Sequence, residues 1–96
     1  SSTPNVIYGA GKLAEEFLKK YNGKIKIEEV YDSNIDKVGN EFFGKKIKNG
    51  KDLIKSMNKN VNIIITSMGF RDIEASLSCK GFEKIYIYLP GRKYKL

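Results

Sequence analysis

Histidine is absent from this 96-residue chain, cysteine occurs once and arginine twice. Each shortage closes off a class of chemistry. Without histidine there is no imidazole general base, no Cys/His pair to activate a thiol, and few ways to build a zinc site. The single cysteine, Cys79, has no partner for an internal disulfide, which fits a reducing compartment. Its setting in "SLSCKGF", at the end of a helical stretch, reads as a packing or surface thiol. No apolar run approaches the ~20 residues of a transmembrane helix and no signal peptide is visible, so a cytoplasmic protein with no membrane span is expected. Repeats and low-complexity linkers are missing as well.

At 41% hydrophobic residues the composition is that of an ordinary globular domain. A chain of this length holds one core, so residues 1–96 are expected to form a single domain. Ser1 and Ser2 read as a cloning scar or a frayed start, and the domain is expected to be a piece of a longer protein. Eighteen basic residues against eleven acidic ones give a net charge of +7. All but two of the eighteen are lysines, spread along the chain, with the densest groups at Gly44–Lys51 and Gly91–Leu96. Nucleic-acid sites favour arginine forks and clustered stripes. The expectation is therefore a solvated lysine surface, with nucleic acid not a partner.

The hydrophobic pattern alternates between strand and helix. Asn5–Tyr8 reads as a strand. A helix follows, with Leu13, Ala14, Phe17, Leu18 and Tyr21 on one face and a stop at Asn22-Gly23. A second strand ends near Asp32. Ser33 to Lys46 reads as an irregular crossover, and Lys46–Lys48 as a weak third strand. A short helix is expected over Lys51–Asn58, capped by Asn49 or the turn at Gly50, with Leu53, Ile54 and Met57 inward. Asn60–Thr66 reads as a strand buried on both faces. Arg71–Lys80 reads as a helix closed by Gly81, and Lys84–Leu89 as the last strand. Right-handed crossovers then predict an α/β, three-layer, Rossmann-like fold with a five-stranded parallel sheet of order 3-2-1-4-5.

The candidate site lies in "VIYGAGKLAEEFL". Gly9, Gly11 and Ala14 match the G-x-G-x-x-A spacing: a tight turn, a backbone that a pyrophosphate can approach, and close helix–strand packing. Gly9, Ala10, Gly11 and Lys12 would hold a phosphate at the positive end of the following helix. Asp32 stands 21 residues after Gly11, at a strand end where an acid accepts ribose hydroxyls; "YDSN", with Ser33, is equally good turn chemistry. Ser67, Met68, Gly69, Phe70 and Arg71 follow the fourth strand and are expected to face the glycine turn across the crevice, with Ser67 and Arg71 as partners for a phosphate or carboxylate and Gly69 as room for the ligand. No catalytic residue and no metal ligand is assigned.

Those stretches, together with "VYDSNIDKVGNEFFGKKI" and its D-x-[ND]-x-x-K-x-G…G-x-x-[IV] pattern, resemble a known group of domains. These are the small Rossmann-like nucleotide-binding domains of bacterial sugar-nucleotide and surface-polysaccharide enzymes. They include the N-terminal domains of sialic-acid acetyltransferase-type sugar acetyltransferases and of polysaccharide-type nucleotide-sugar dehydratases. The likeness runs from Val6 to Leu89. It implies a nucleotide, either a UDP-sugar or NAD, at Gly9, Gly11, Lys12 and Asp32, and a catalytic domain of the same chain as partner. No second mononucleotide half is present to hold a nicotinamide, so the domain alone is expected to bind rather than catalyse. The alternatives are an NAD- or coenzyme-A-sensing regulatory domain and a non-binding interaction module.

Overall fold

The computed structural model of the chain describes residues 3–91. The basic group at the C-terminus, apart from Gly91, lies outside the described residues. Nine elements follow in the order β1 (Asn5–Tyr8), α1 (Lys12–Lys20), β2 (Ile27–Asp32), β3 (Glu41–Phe42), β4 (Lys45–Asn49), α2 (Gly50–Lys55), β5 (Asn62–Ile65), α3 (Phe70–Cys79) and β6 (Ile85–Ile87).

The fold is α/β, with one mostly parallel sheet of order β3-β4-β2-β1-β5-β6. The expected five-stranded sheet of order 3-2-1-4-5 is corrected here. The sheet has six strands, because Glu41–Phe42 pairs antiparallel with Lys45–Lys46 at the edge. The five parallel strands stand as β4-β2-β1-β5-β6. The added strand folds back through Phe43 and Gly44, both at positive φ (51° and 80°). That is two-residue hairpin geometry, usually written Asn-Gly, and an aromatic first residue conceals it in the sequence.

Strand alternation divides the core. Val6, Tyr8, Ile63 and Ile65 face one side with Leu53, Leu77 and Phe82, while Ile7 and Ile64 face the other with Ala14, Phe17 and Tyr88. Both faces of β1 and β5 are covered, which is why these strands read as continuous apolar runs. In β2, Ile27 and Val30 reach the same face although they are three residues apart. The pairing register shifts between Asn5 and Val6, which oppose Ile27 and Glu29. An extra residue in one strand inverts its alternation in this way.

The helix ends follow local chemistry. Asn49 caps α2, its side chain accepting from the Lys51 N–H at 3.0 Å. That helix is shorter than expected. Ser56 takes an extended conformation, so Met57 falls outside the helix and is 93% exposed rather than turned inward. After α3, the Gly81 N–H donates to the Ser78 carbonyl (3.0 Å) and the Phe82 N–H to that of Leu77 (3.1 Å). Gly81 sits at φ +96° between them, the paired-bond closure that brings Phe82 against the helix end. Among the described residues no helix is long and apolar enough to cross a membrane.

Candidate functional site

The carboxyl ends of β1, β2 and β5 meet at one edge of the sheet. Chain order reverses there: β1 has β2 on one side and β5 on the other. Such a switch point opens a crevice above the strand ends. Here it is a cleft of about 350 Å³. Gly9–Lys12 form its floor, with Asp32, Asn34 and Lys37 on one wall and Thr66, Ser67 and Met68 on the other.

The glycine turn is anchored from both sides. The Gly9 N–H donates to the Tyr31 carbonyl at 2.8 Å, and the buried Thr66 hydroxyl donates to the Gly9 carbonyl at 2.7 Å. The two glycines have different reasons to be glycine. Gly9 lies at φ +119°, and a Cβ there would stand 2.6 Å from the Thr66 carbonyl oxygen. Gly11 has extended backbone, and an added Cβ would meet only the end of Lys37, at 3.6 Å. Gly9 is therefore required by packing, whereas Gly11 keeps the mouth of the cleft open. Gly11 also leaves α1 without a side-chain cap. The first N–H groups of a helix have no partner within it, and here they border the cleft.

Asp32 takes the turn role read from the sequence and adds a second backbone contact to it. One carboxylate oxygen accepts from the Ala10 N–H at 2.7 Å and the other from the Asn34 N–H at 2.8 Å. The acid is thus a clamp between the second-strand turn and the glycine turn, half-buried at the cleft wall. Its charge also acts below the site. The buried Tyr8 hydroxyl is held above the usual tyrosine range, first by burial and then by the nearby Asp32 carboxylate.

Of the residues expected at the site, the structure brings Gly9, Ala10, Gly11, Lys12, Asp32 and Ser67 around one cleft. Ser67 accepts from the Gly69 N–H at 3.1 Å. Gly69 is the N-cap residue of α3 and lies outside the lining. Ser33 is exposed beyond the wall. Arg71 is exposed as well, with its guanidinium 5.5 Å from the centre of the Phe70 ring and not in the cleft. Met68 lines the cleft as expected, whereas Phe70 packs against the core. Sequence reasoning missed Asn34, Lys37 and Thr66 as lining residues. The signal for two of them was the D-x-[ND]-x-x-K spacing. Asn34 accepts from the Asp36 N–H (3.0 Å) to shape the turn, and the Lys37 ammonium donates to the Ala10 carbonyl (3.0 Å).

A second cavity, about 360 Å³, opens at the opposite end of the sheet among Val6, Glu28, Glu29, Tyr31, Leu53 and Val61. Hydrogen bonds from Lys48 and then Tyr31 hold the Glu29 carboxyl below the usual glutamate range, so it stays charged. Each of the two glutamates on its wall has a lysine partner, Glu28 with Lys26 and Glu29 with Lys48. The uncapped helix start lies at the other cleft, beside the glycine turn.

No family model matches the chain and no curated protein does. Solved structures do resemble it. The crystal structure of RSP in complex with β-NADH superposes with a TM-score of 0.68 at 16% identity, over 99% of this chain and 49% of that one. RSP described as a Rex-family repressor gives 0.68 at 16%, over 100% and 49%. RSP in complex with β-NAD+ and operator DNA gives 0.69 at 16%, over 99% and 46%. The chain spans about half the length of these neighbours. At such identity the likeness establishes a Rossmann-like fold. The complex with operator DNA overturns the expectation, drawn from scattered lysines, that nucleic acid is no partner. Spacing of lysines along a sequence does not say where they stand on the folded surface, so it was no ground for excluding nucleic acid.

Proposed function

We propose that this domain binds a pyridine dinucleotide, NAD+ or NADH, and serves as the sensing part of a regulatory protein, with DNA as the partner of the whole. The observation that carries the reading is the cleft at the switch point. An open, uncapped helix start at Gly11 suits a diphosphate, and an aspartate-held turn stands where a ribose approaches. The fold neighbours solved with β-NADH and with β-NAD+ and operator DNA support the same ligand class and a regulatory setting. The sugar-nucleotide role implied by the sequence resemblance gains no support from them, and nothing in the cleft favours uracil or a sugar over adenosine.

Calorimetric titration with NADH, NAD+, ADP, UDP and a UDP-sugar tests this directly. NADH, NAD+ and ADP are expected to bind, with UDP and the UDP-sugar no tighter than ADP and NADH. A sensor of redox poise must also have NADH and NAD+ favour its two conformations differently, because a ligand with equal affinity for both conformations shifts no equilibrium. Tight UDP-sugar binding without NADH binding would refute the assignment.

A further inference from the structure

The crossover from β2 to β4 holds no α-helix. In its place, residues 32–40 form a loop locked by side chain-to-backbone hydrogen bonds at Asp32 and Asn34 (2.8 and 3.0 Å) and by the Lys37 N–H to the Asn34 carbonyl (3.0 Å). The loop grips one residue of the glycine turn by both of its backbone groups. Asp32 holds the Ala10 N–H and Lys37 the Ala10 carbonyl. The Lys37 ammonium consequently lies over the turn, 3.6 Å from where a Gly11 side chain would begin. An ammonium carries three donors, and the Ala10 carbonyl takes one. The neighbouring carboxylate of Asp32 has both oxygens turned to backbone N–H groups.

We infer that Lys37 is the cation that pairs with the diphosphate of the ligand. On this account it is a specificity-determining residue, supplied by the loop rather than by the helix start, that selects diphosphate-bearing nucleotides over nucleosides. The inference rests on the dinucleotide reading of the cleft. It adds that the charge partner comes from the second-strand loop, so that ligand and loop are physically coupled through one side chain.

The test compares the unmodified chain with Lys37→Met and Lys37→Arg, titrated with ADP, adenosine, NADH and inorganic pyrophosphate. Thermal melting of each variant serves as the folding control. The Met variant should bind ADP, NADH and pyrophosphate roughly tenfold more weakly, as for losing one charged hydrogen bond, with adenosine unaffected. The Arg variant should recover most of the loss, since it keeps the charge. Equal weakening of ADP and adenosine would mean that Lys37 only shapes the turn, and would overturn the inference. Unchanged ADP and NADH binding in the Met variant would overturn it while leaving the dinucleotide reading intact. Failure of the unmodified chain to bind NADH and ADP would refute that reading. Pyrophosphate binding lost in the Met variant alone would even then uphold Lys37 as the anion partner, and its absence from the unmodified chain would end that claim too.

Discussion

Gly9 and Gly11 belong to one short motif, and substituting each by a residue with a side chain should separate folding from binding. At Gly9 two costs add. A non-glycine residue at φ +119° occupies a sparsely populated backbone region, at about 1–3 kcal/mol. The new Cβ, 2.6 Å from the Thr66 carbonyl oxygen, forces the β1 and β5 ends apart, an overpacking cost of about 1–3 kcal/mol. Together they give about 2–6 kcal/mol, and even about 3 kcal/mol is a large share of the about 5–15 kcal/mol that holds a domain together. For a chain of this size it corresponds to a fall in Tm of about 12–24 °C. Gly9→Ala should therefore melt much earlier. Gly11→Val meets no backbone: the extended conformation admits it, and only the flexible end of Lys37 lies within 4 Å. Its stability cost should stay within about 1 kcal/mol, the difference between glycine and a poor helix cap. Its side chain, however, stands in the mouth of the cleft, so NADH affinity should fall at least about tenfold, or 1.4 kcal/mol. Melting followed by circular dichroism, beside NADH titration of each variant, reads both effects. A Gly9→Ala protein as stable as the parent would refute the packing argument. A Gly11→Val protein that binds NADH normally would refute the site.

Asp32→Ala should cost both stability and binding, because it leaves the Ala10 and Asn34 N–H groups without their acceptor; a loss of about 1.5–3 kcal/mol by chemical denaturation is expected, with Asp32→Asn intermediate. Glu29 supplies a pH dependence. Its carboxyl is held low in the folded state by Lys48 and Tyr31, so the unfolded chain takes up the proton more readily. The associated stability is present above the ordinary glutamate value and is lost as pH falls through the folded one. Glu29→Gln should flatten the acid side of a Tm-against-pH series, by a small amount because both ion-pair partners are well exposed; an unchanged acid limb would show that the pair contributes nothing.

The alternation of strands and helices was legible in the chain because it rests on local patterns: apolar runs at Asn5–Tyr8 and Asn62–Ile65, a helical face at Ala14 and Phe17, and a glycine closing α3. The glycine turn was legible for the same reason, since φ +119° at Gly9 is a demand that only glycine meets without strain. What tertiary structure decided depended on segments distant in sequence. The edge strand at Glu41–Phe42 exists because a hairpin closes through Phe43 against the usual turn preference, and the face of Ile27 depends on a register shift opposite β1. Ser67 and Arg71 lie four residues apart in sequence, yet only Ser67 lines the cleft, because α3 begins between them and carries Arg71 out to solvent. Asp32 and Lys37 show the limit most clearly. Their types and spacing were visible, but their shared grip on Ala10, 22 and 27 residues away, arises only when the sheet brings two strand ends together. Hydrogen bonds are short-ranged and directional, so a pattern along the chain can offer their donors and acceptors without stating which will meet.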